Sequence, residues 1–389
     1  MEFRDSPEQA AWRKKVRNFL QTELPEEIRG KGGLFAKLER VGAWEQWRKA
    51  LAERGWVAPA WPKEYGGAGM DVMDQFILNE EFAQARAPMI GGLGTMMLGP
   101  TLIAHGTEEQ KSYHLPRILA GEENWCQGYS EPGAGSDLAS LQTRAVKDGD
   151  DFVINGQKIW TSTAHFADWC FLLARTDPDA PKHRGITYFL VDMKSPGITV
   201  QPLVNLTGSH EFNEVFFEDV RVPANNVVGE VNRGWYIGAT TLDFERSSIG
   251  TAVGNQQQIE DFTAWLRDHR TEMGEARYGS LRREWADRAL EVHVATLLAY
   301  RIISMQAAGQ IPNAEASIAK LFGSELAQRI AGTAMHTLGM HGAIRESSAP
   351  FAGNVPQSYL GGVSQTIAGG TSEIQRNIIA TRGLGLPRG

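Results

Sequence analysis

Cysteine is nearly absent from this chain, with 2 in 389 residues. Cys126 and Cys170 lie in separate apolar, strand-like stretches and not in a CxxC. That spacing excludes a zinc ribbon or redox dithiol and predicts two buried, reduced thiols. Metal-ligand spacing is missing as well. The nine histidines are scattered and none falls in HExxH, so no metal site is expected. His183, His210 and His341 read as surface or interface residues. No apolar run approaches the roughly 20 residues of a membrane span. The opening MEFRDSPEQAAWRKKVRNFL is charged from its start and has no apolar signal core, so the expected location is the cytoplasm. Positive charge is not in excess: the formal net charge is -7, which argues against a nucleic-acid partner. There is no GxxxxGK[ST] and no strand-linked GxGxxG. ATP and nicotinamide cofactors lose their usual supports.

What is present is ordinary globular text, 42% hydrophobic and 22% charged, long enough for two or three packed layers or domains. Three zones follow one another. From 1 to 120 the apolar residues recur at helical spacing, as in AAWRKKVRNFLQTEL and WEQWRKALAERGW, and Thr107 reads as the cap of a short helix. From 121 to 230 the period falls to two. WCFLLAR, GITYFLVDM, GITVQPL and NEVFFEDVRVP follow at short intervals, and FVINGQKIW predicts a hairpin turning at Asn155-Gly156. From 231 to 389 long amphipathic stretches return. The fold class expected is α+β: an N-terminal α-helical domain, a central antiparallel β domain, and a C-terminal four-helix bundle.

Glu245 interrupts an apolar helical stripe. In TTLDFERSSIG, residues 240–250, Leu242, Ile249 and Val253 share one face and Glu245 lies on it. A carboxylate there is desolvated, and an unpaired buried charge is costly. A catalytic base is one reason to keep it; a structural ion pair is the other.

PKEYGGAGM, GTEEQKSYHLPRILAGE, YSEPGAGSD, NGQKIWTS and GGTSEIQRNIIA occur in this order along the chain. Together they resemble the acyl-CoA dehydrogenase family over nearly its whole length. The resemblance implies an FAD enzyme that binds an acyl-CoA thioester and installs a double bond between Cα and Cβ. Such chemistry needs a carboxylate at the Cα proton, donors at the thioester oxygen as enolate charge develops, and a flavin against Cβ to take the hydride. By match to the family pattern, Tyr129, Ser130 and Ser136 line the flavin and the start of the thioester chain. Trp160 packs on the flavin ring, and Ser162 hydrogen-bonds beside it. Thr371 and Glu373 face the ribityl-adenosine part, and the Gly369 N–H holds the thioester oxygen. The family's acidic base often stands where this chain has Gly369. Some branches carry it instead in text like LxxER, which LDFER matches. Glu245 is then the general base, with Arg246 beside it on the substrate side. The family's aromatic and acidic side chains are also missing from Ala368-Gly369-Gly370; either another residue fills that space, or the substrate is bulky near the thioester, for instance a steroid-type CoA ester.

Two family contributions to a neighbouring subunit's flavin are absent. No Arg-x-x-Phe-Gly occurs over 257–282, and HTLGMHG puts His336 and Met340 where a Gln and a Gly are expected. The chain keeps its own half of the flavin site and lacks the half it would lend. That predicts an α2β2 heterotetramer with a second, related subunit, against a homotetramer with altered pyrophosphate contacts. The expected electron acceptor is an electron-transfer flavoprotein. The competing functions are an acyl-CoA oxidase and a non-catalytic scaffold subunit.

Overall fold

The structure is a computed structural model that describes residues 5–31, 41–243 and 249–387. Its first helices are α1 (Pro7–Glu23), α2 (Gly42–Ala52), α3 (Val72–Gln84), α4 (Gly99–His105) and α5 (Glu108–Ala120). Thr107 caps α5 as expected. Its hydroxyl accepts from the Gln110 N–H while the Gln110 side chain accepts from the Thr107 N–H, a complete capping box. Eight strands follow among the described residues: β1 (Trp125–Gly128), β2 (Arg144–Asp148), β3 (Asp151–Lys158), β4 (Trp169–Arg175), β5 (Ile186–Asp192), β6 (Ile198–Val204), β7 (His210–Pro223) and β8 (Val227–Val228). The chain returns to helix in α6 (Gly234–Asp243), α7 (Ile249–Asp268), α8 (Arg270–Met273), α9 (Glu275–Ala307), α10 (Asn313–Leu338), α11 (Asn354–Gln365) and α12 (Ser372–Ile378). The expected order of helices, β domain and helices is the observed one.

The described residues form two compact units. One takes in the described residues within 19–70 and 86–246, the other those within 1–18, 71–85 and 247–389. In the first, the strand order is β6-β7-β3-β2-β4-β5-β8, with β1 joined to β4. Most pairs are antiparallel; β1 and β2 run parallel to β4. β4 and β5 are apolar on both faces because each face meets a core. Phe171, Leu173, Tyr188 and Leu190 join Leu98, Leu102, Leu115 and Ile237 from the helices. Cys170, Leu172, Phe189 and Val191 join Phe152, Ile154, Val215 and Phe217 from β3 and β7. Cys126 and Cys170 are buried, free and opposite one another in the β1–β4 register. Burial, with Cys170 alongside, pushes the Cys126 thiol up.

One expectation fails here. Asn155-Gly156 is not a turn, because β3 runs through it. The turn is Gly149-Asp150, between the paired Asp148 and Asp151, with Gly149 at φ 62. Asn155 instead faces a bulge in β7, where Glu218 and Asp219 both lie opposite it and the register slips between Ile154 and Gly156. Its side chain exchanges two hydrogen bonds of 3.0 Å with Asp219.

In the second unit, α7, α9, α10 and α11 enclose Phe262, Leu266, Trp285, Leu326, Ile330 and Val355. Trp285 is fully buried, stacks on Phe262 at 4.6 Å and donates to the Thr337 hydroxyl at 2.9 Å. A second cluster joins Phe76 of α3 to Ile249 and Val253 of α7 and Ala299 and Ile303 of α9. Among the described residues no helix is long and apolar enough to cross a membrane.

Candidate functional site

The loop after β1 carries the sequence YSEPGAGSD and is fixed from beneath by a buried ion pair. Glu131 and Ala134 exchange backbone hydrogen bonds of 2.9 and 3.0 Å, closing the turn. The Glu131 carboxylate accepts from the Gln142 N–H at 2.6 Å and the Thr143 N–H at 2.8 Å. Lys158, at 0% exposure, donates to Glu131 Oε1 at 2.8 Å and to the Tyr129 carbonyl at 3.0 Å. Burial pushes the Glu131 carboxyl up, but the Lys158 charge and the hydrogen bonds outweigh it and hold it below the usual range. Complete burial draws the Lys158 ammonium below the usual lysine range, and Glu131 returns only part of the shift. Sequence reasoning passed over this pair. The signal was there: Lys158 falls in register with Phe152 and Ile154 on the inward face of β3.

The loop's outer side is bare. A Cβ added at Gly133 or Gly135 would meet nothing within 4 Å. Ser136 is exposed and Ser130 half-buried; the Ser130 carbonyl accepts from the Ile159 N–H at 2.9 Å. The Tyr129 ring is turned into the core against Phe171 and Tyr188, so only its backbone belongs to the loop.

Directly after β3 the chain takes a strained course. Trp160 has φ 58 and Thr163 φ 65, conformations that non-glycine residues hold only where the surroundings insist. Trp160 is 54% exposed, its ring edge-on to Phe212. Ser162 is half-buried, and its N–H has no acceptor among the described residues. Thr161 Oγ1 and Gln127 Nε2 are buried and without hydrogen-bond partners. An exposed aromatic face, a bare glycine loop and unsatisfied polar atoms fit a flat heterocycle with polar edges, as the flavin of FAD is. Among the described residues no cluster could hold a metal ion.

In the helical unit, Gly369 and Gly370 are both left-handed, at φ 63 and 89. Their carbonyls are held: Gln375 Nε2 donates to Gly369 O at 3.0 Å, and Lys320 Nζ to Gly370 O at 2.6 Å. The Gly369 N–H has no acceptor among the described residues. Thr371 caps α12 through the Ile374 N–H, 3.2 Å away. Glu373 is exposed, and its own backbone N–H at the helix start and the Thr371 hydroxyl hold its carboxyl below the usual range. Thr371 and Glu373 line an open groove of about 600 Å³ with Gln328, Arg329, Ser372 and Arg376. Ser372 Oγ is buried there without a partner. Glu245 and Arg246 lie outside the described residues.

Family models match the chain in succession: the acyl-CoA dehydrogenase N-terminal domain over residues 6–122, the middle domain over 126–220 and the C-terminal domain over 232–384. The chain is 38% identical over 383 residues to acyl-CoA dehydrogenase IpdE1 of Mycobacterium tuberculosis, covering 97% of each. Among solved structures it resembles the Tcur3481-Tcur3483 steroid ACAD, at 37% identity and TM-score 0.87, covering 100% of each chain. It also resembles the ChsE4-ChsE5 complex from Mycobacterium tuberculosis, at 37% identity and TM-score 0.85, again covering 100% of each chain. The chain belongs to the acyl-CoA dehydrogenase family, whose members are FAD-dependent oxidoreductases.

Proposed function

We propose that this chain dehydrogenates the Cα–Cβ bond of a bulky, steroid-type acyl-CoA thioester, as the base-carrying subunit of an α2β2 assembly. FAD, when bound, supplies the acceptor for the Cβ hydride. Trp160 gives the flavin an apolar face, and Tyr129, through its backbone, Ser130 and Ser162 line its edge. Thr371 and Glu373 serve the ribityl-adenosine part. Glu245 takes the Cα proton, and the Gly369 N–H donates to the thioester oxygen as negative charge grows there. Ser136 and Arg246 meet the substrate.

The observation that carries this reading is the turn at 368–370. The Gly369 and Gly370 carbonyls are engaged and the Gly369 amide is open. A side chain added at Gly369 would first meet only Lys320 Cε, at 3.9 Å. The amide role needs no side chain, and the absence of one at Gly369 supports a large acyl group there. The similar solved structure described as a steroid ACAD points the same way. Met340 is 91% exposed, where backbone would have to approach phosphate, and His336 is engaged with Glu284. Both support a second subunit lending the missing half, as does the likeness to a two-component complex.

The test is anaerobic titration of the purified holoenzyme with CoA esters. Steroid side-chain CoA esters should bleach the flavin band more efficiently than butyryl-CoA. A preference for short straight chains would overturn the bulky-substrate reading. Reoxidation by an electron-transfer flavoprotein without peroxide would separate a dehydrogenase from an oxidase.

A further inference from the structure

The segment that carries Trp160 and Ser162 is held by a side chain on a distant strand. Asn213 of β7 is fully buried. Its Nδ2 donates to the Thr161 carbonyl at 3.0 Å, and its own carbonyl accepts from the Thr161 N–H at 3.0 Å. Thr161 is therefore gripped on both sides by one residue. A carbonyl can only accept, so the Asn213 atom facing it is the NH2, which turns Oδ1 toward His210. The His210 Nε2–H donates to that oxygen at 2.8 Å, and His165 Nδ1 accepts the second Nδ2 proton at 3.1 Å. The two imidazoles stack, with centroids 4.1 Å apart. Both N–H donors and the oxygen of the amide are engaged.

Peptide planarity carries the consequence outward. In a trans peptide the N–H points opposite the carbonyl. With Thr161 O drawn to Asn213, the Ser162 N–H must point away from β7. With Thr161 N–H drawn to Asn213 O, the Trp160 carbonyl points away as well. These two anchors, with the Thr163 N–H donating to the Glu211 carbonyl at 2.9 Å, fix the backbone between the two left-handed residues. We infer that Asn213, itself oriented by His165 and His210, is a positioning residue that presents the Ser162 amide and the Trp160 ring to the flavin. This rests on the reading that Trp160 and Ser162 face the cofactor.

The experiment compares wild-type holoenzyme with Asn213→Ala, Asn213→Asp and Trp160→Ala. The readouts are the visible flavin spectrum, the FAD dissociation constant and the thermal midpoint. Asn213→Asp keeps the volume and the acceptor toward His210 but removes both Nδ2 donors. It serves where the alanine variant fails to fold. Both Asn213 variants should displace the flavin visible band and weaken FAD binding about tenfold, as expected for loss of one well-placed hydrogen bond. A lowered thermal midpoint with a native flavin band and FAD affinity would overturn the inference, leaving Asn213 a structural role only. If Trp160→Ala alters the band and the Asn213 variants do not, the inference alone falls. If Trp160→Ala also leaves band and affinity unchanged, the flavin-facing reading falls, and the inference with it.

Discussion

Lys158 shows how much a single residue in this β domain can depend on its partner. It is enclosed completely and faces one carboxylate and one carbonyl. Removing one member of such a pair strands the other's charge in the core. Glu131→Gln or Lys158→Met should each destabilise by about 3–5 kcal/mol. A double replacement by apolar residues should cost less than the sum, read from denaturant midpoints. The pH dependence has a definite sign. The Glu131 pKa is lower folded than unfolded. Its stabilisation is therefore present above the ordinary carboxylate pKa and lost as pH falls through the folded value. Wild-type stability should fall on acidification, and Glu131→Gln should flatten that fall. Glu245 makes the residue-scale prediction for chemistry. Glu245→Gln should abolish turnover, a loss of at least about 10²–10⁴, while FAD binding survives. Retained activity would end its assignment as the base.

Elements here obey local rules where their chemistry is local. α5 starts at Thr107 because the cap and its box need only four adjacent residues. Thr107→Ala should cost about 1 kcal/mol in thermal or denaturant unfolding. β3 shows the opposite. Asn155-Gly156 has the composition of a two-residue turn, yet the strand passes through it because Gln157 and Lys158 go on to pair with Phe216 and Val215 of β7. The neighbouring Gly149-Asp150 closes the hairpin. The glycine next to Asn155 has its own reason. A Cβ at Gly156 would lie 2.5 Å from Thr143 Oγ1 and 2.7 Å from Thr143 Cα. Gly156→Ala should therefore cost about 1–3 kcal/mol by overpacking. It should also loosen the Glu131 loop, since Thr143 is one of that carboxylate's donors.

At the scale of the whole molecule, the two compact units do not follow the linear order of helix, strand and helix. α3, in the first hundred residues, shares a core with α7 and α9 through Phe76. Arg13 of α1 pairs with Glu80 and Glu81 of α3 in the same unit. The assembly makes the last prediction. Expressed without a partner, the chain should hold less than one FAD per subunit. Co-purified with a related second subunit, it should reach one FAD per pair of chains, by absorbance against protein. Full FAD and full activity from this chain alone would refute the mixed assembly.

By itself, the sequence determined the alternation of helical and strand periods, the cap of α5, the two buried thiols and the family motifs. Each is written in residues that are near neighbours, or in a fixed period along one element. Only the tertiary structure decided that Lys158 is fully buried on Glu131, that the Tyr129 ring belongs to the core, that the hairpin turns at Gly149, and that Asn213 grips Thr161 from 52 residues away. A polar residue's role is set by the face its strand register assigns and by what packs opposite. That partner comes from a distant element, chosen by sheet order and core packing.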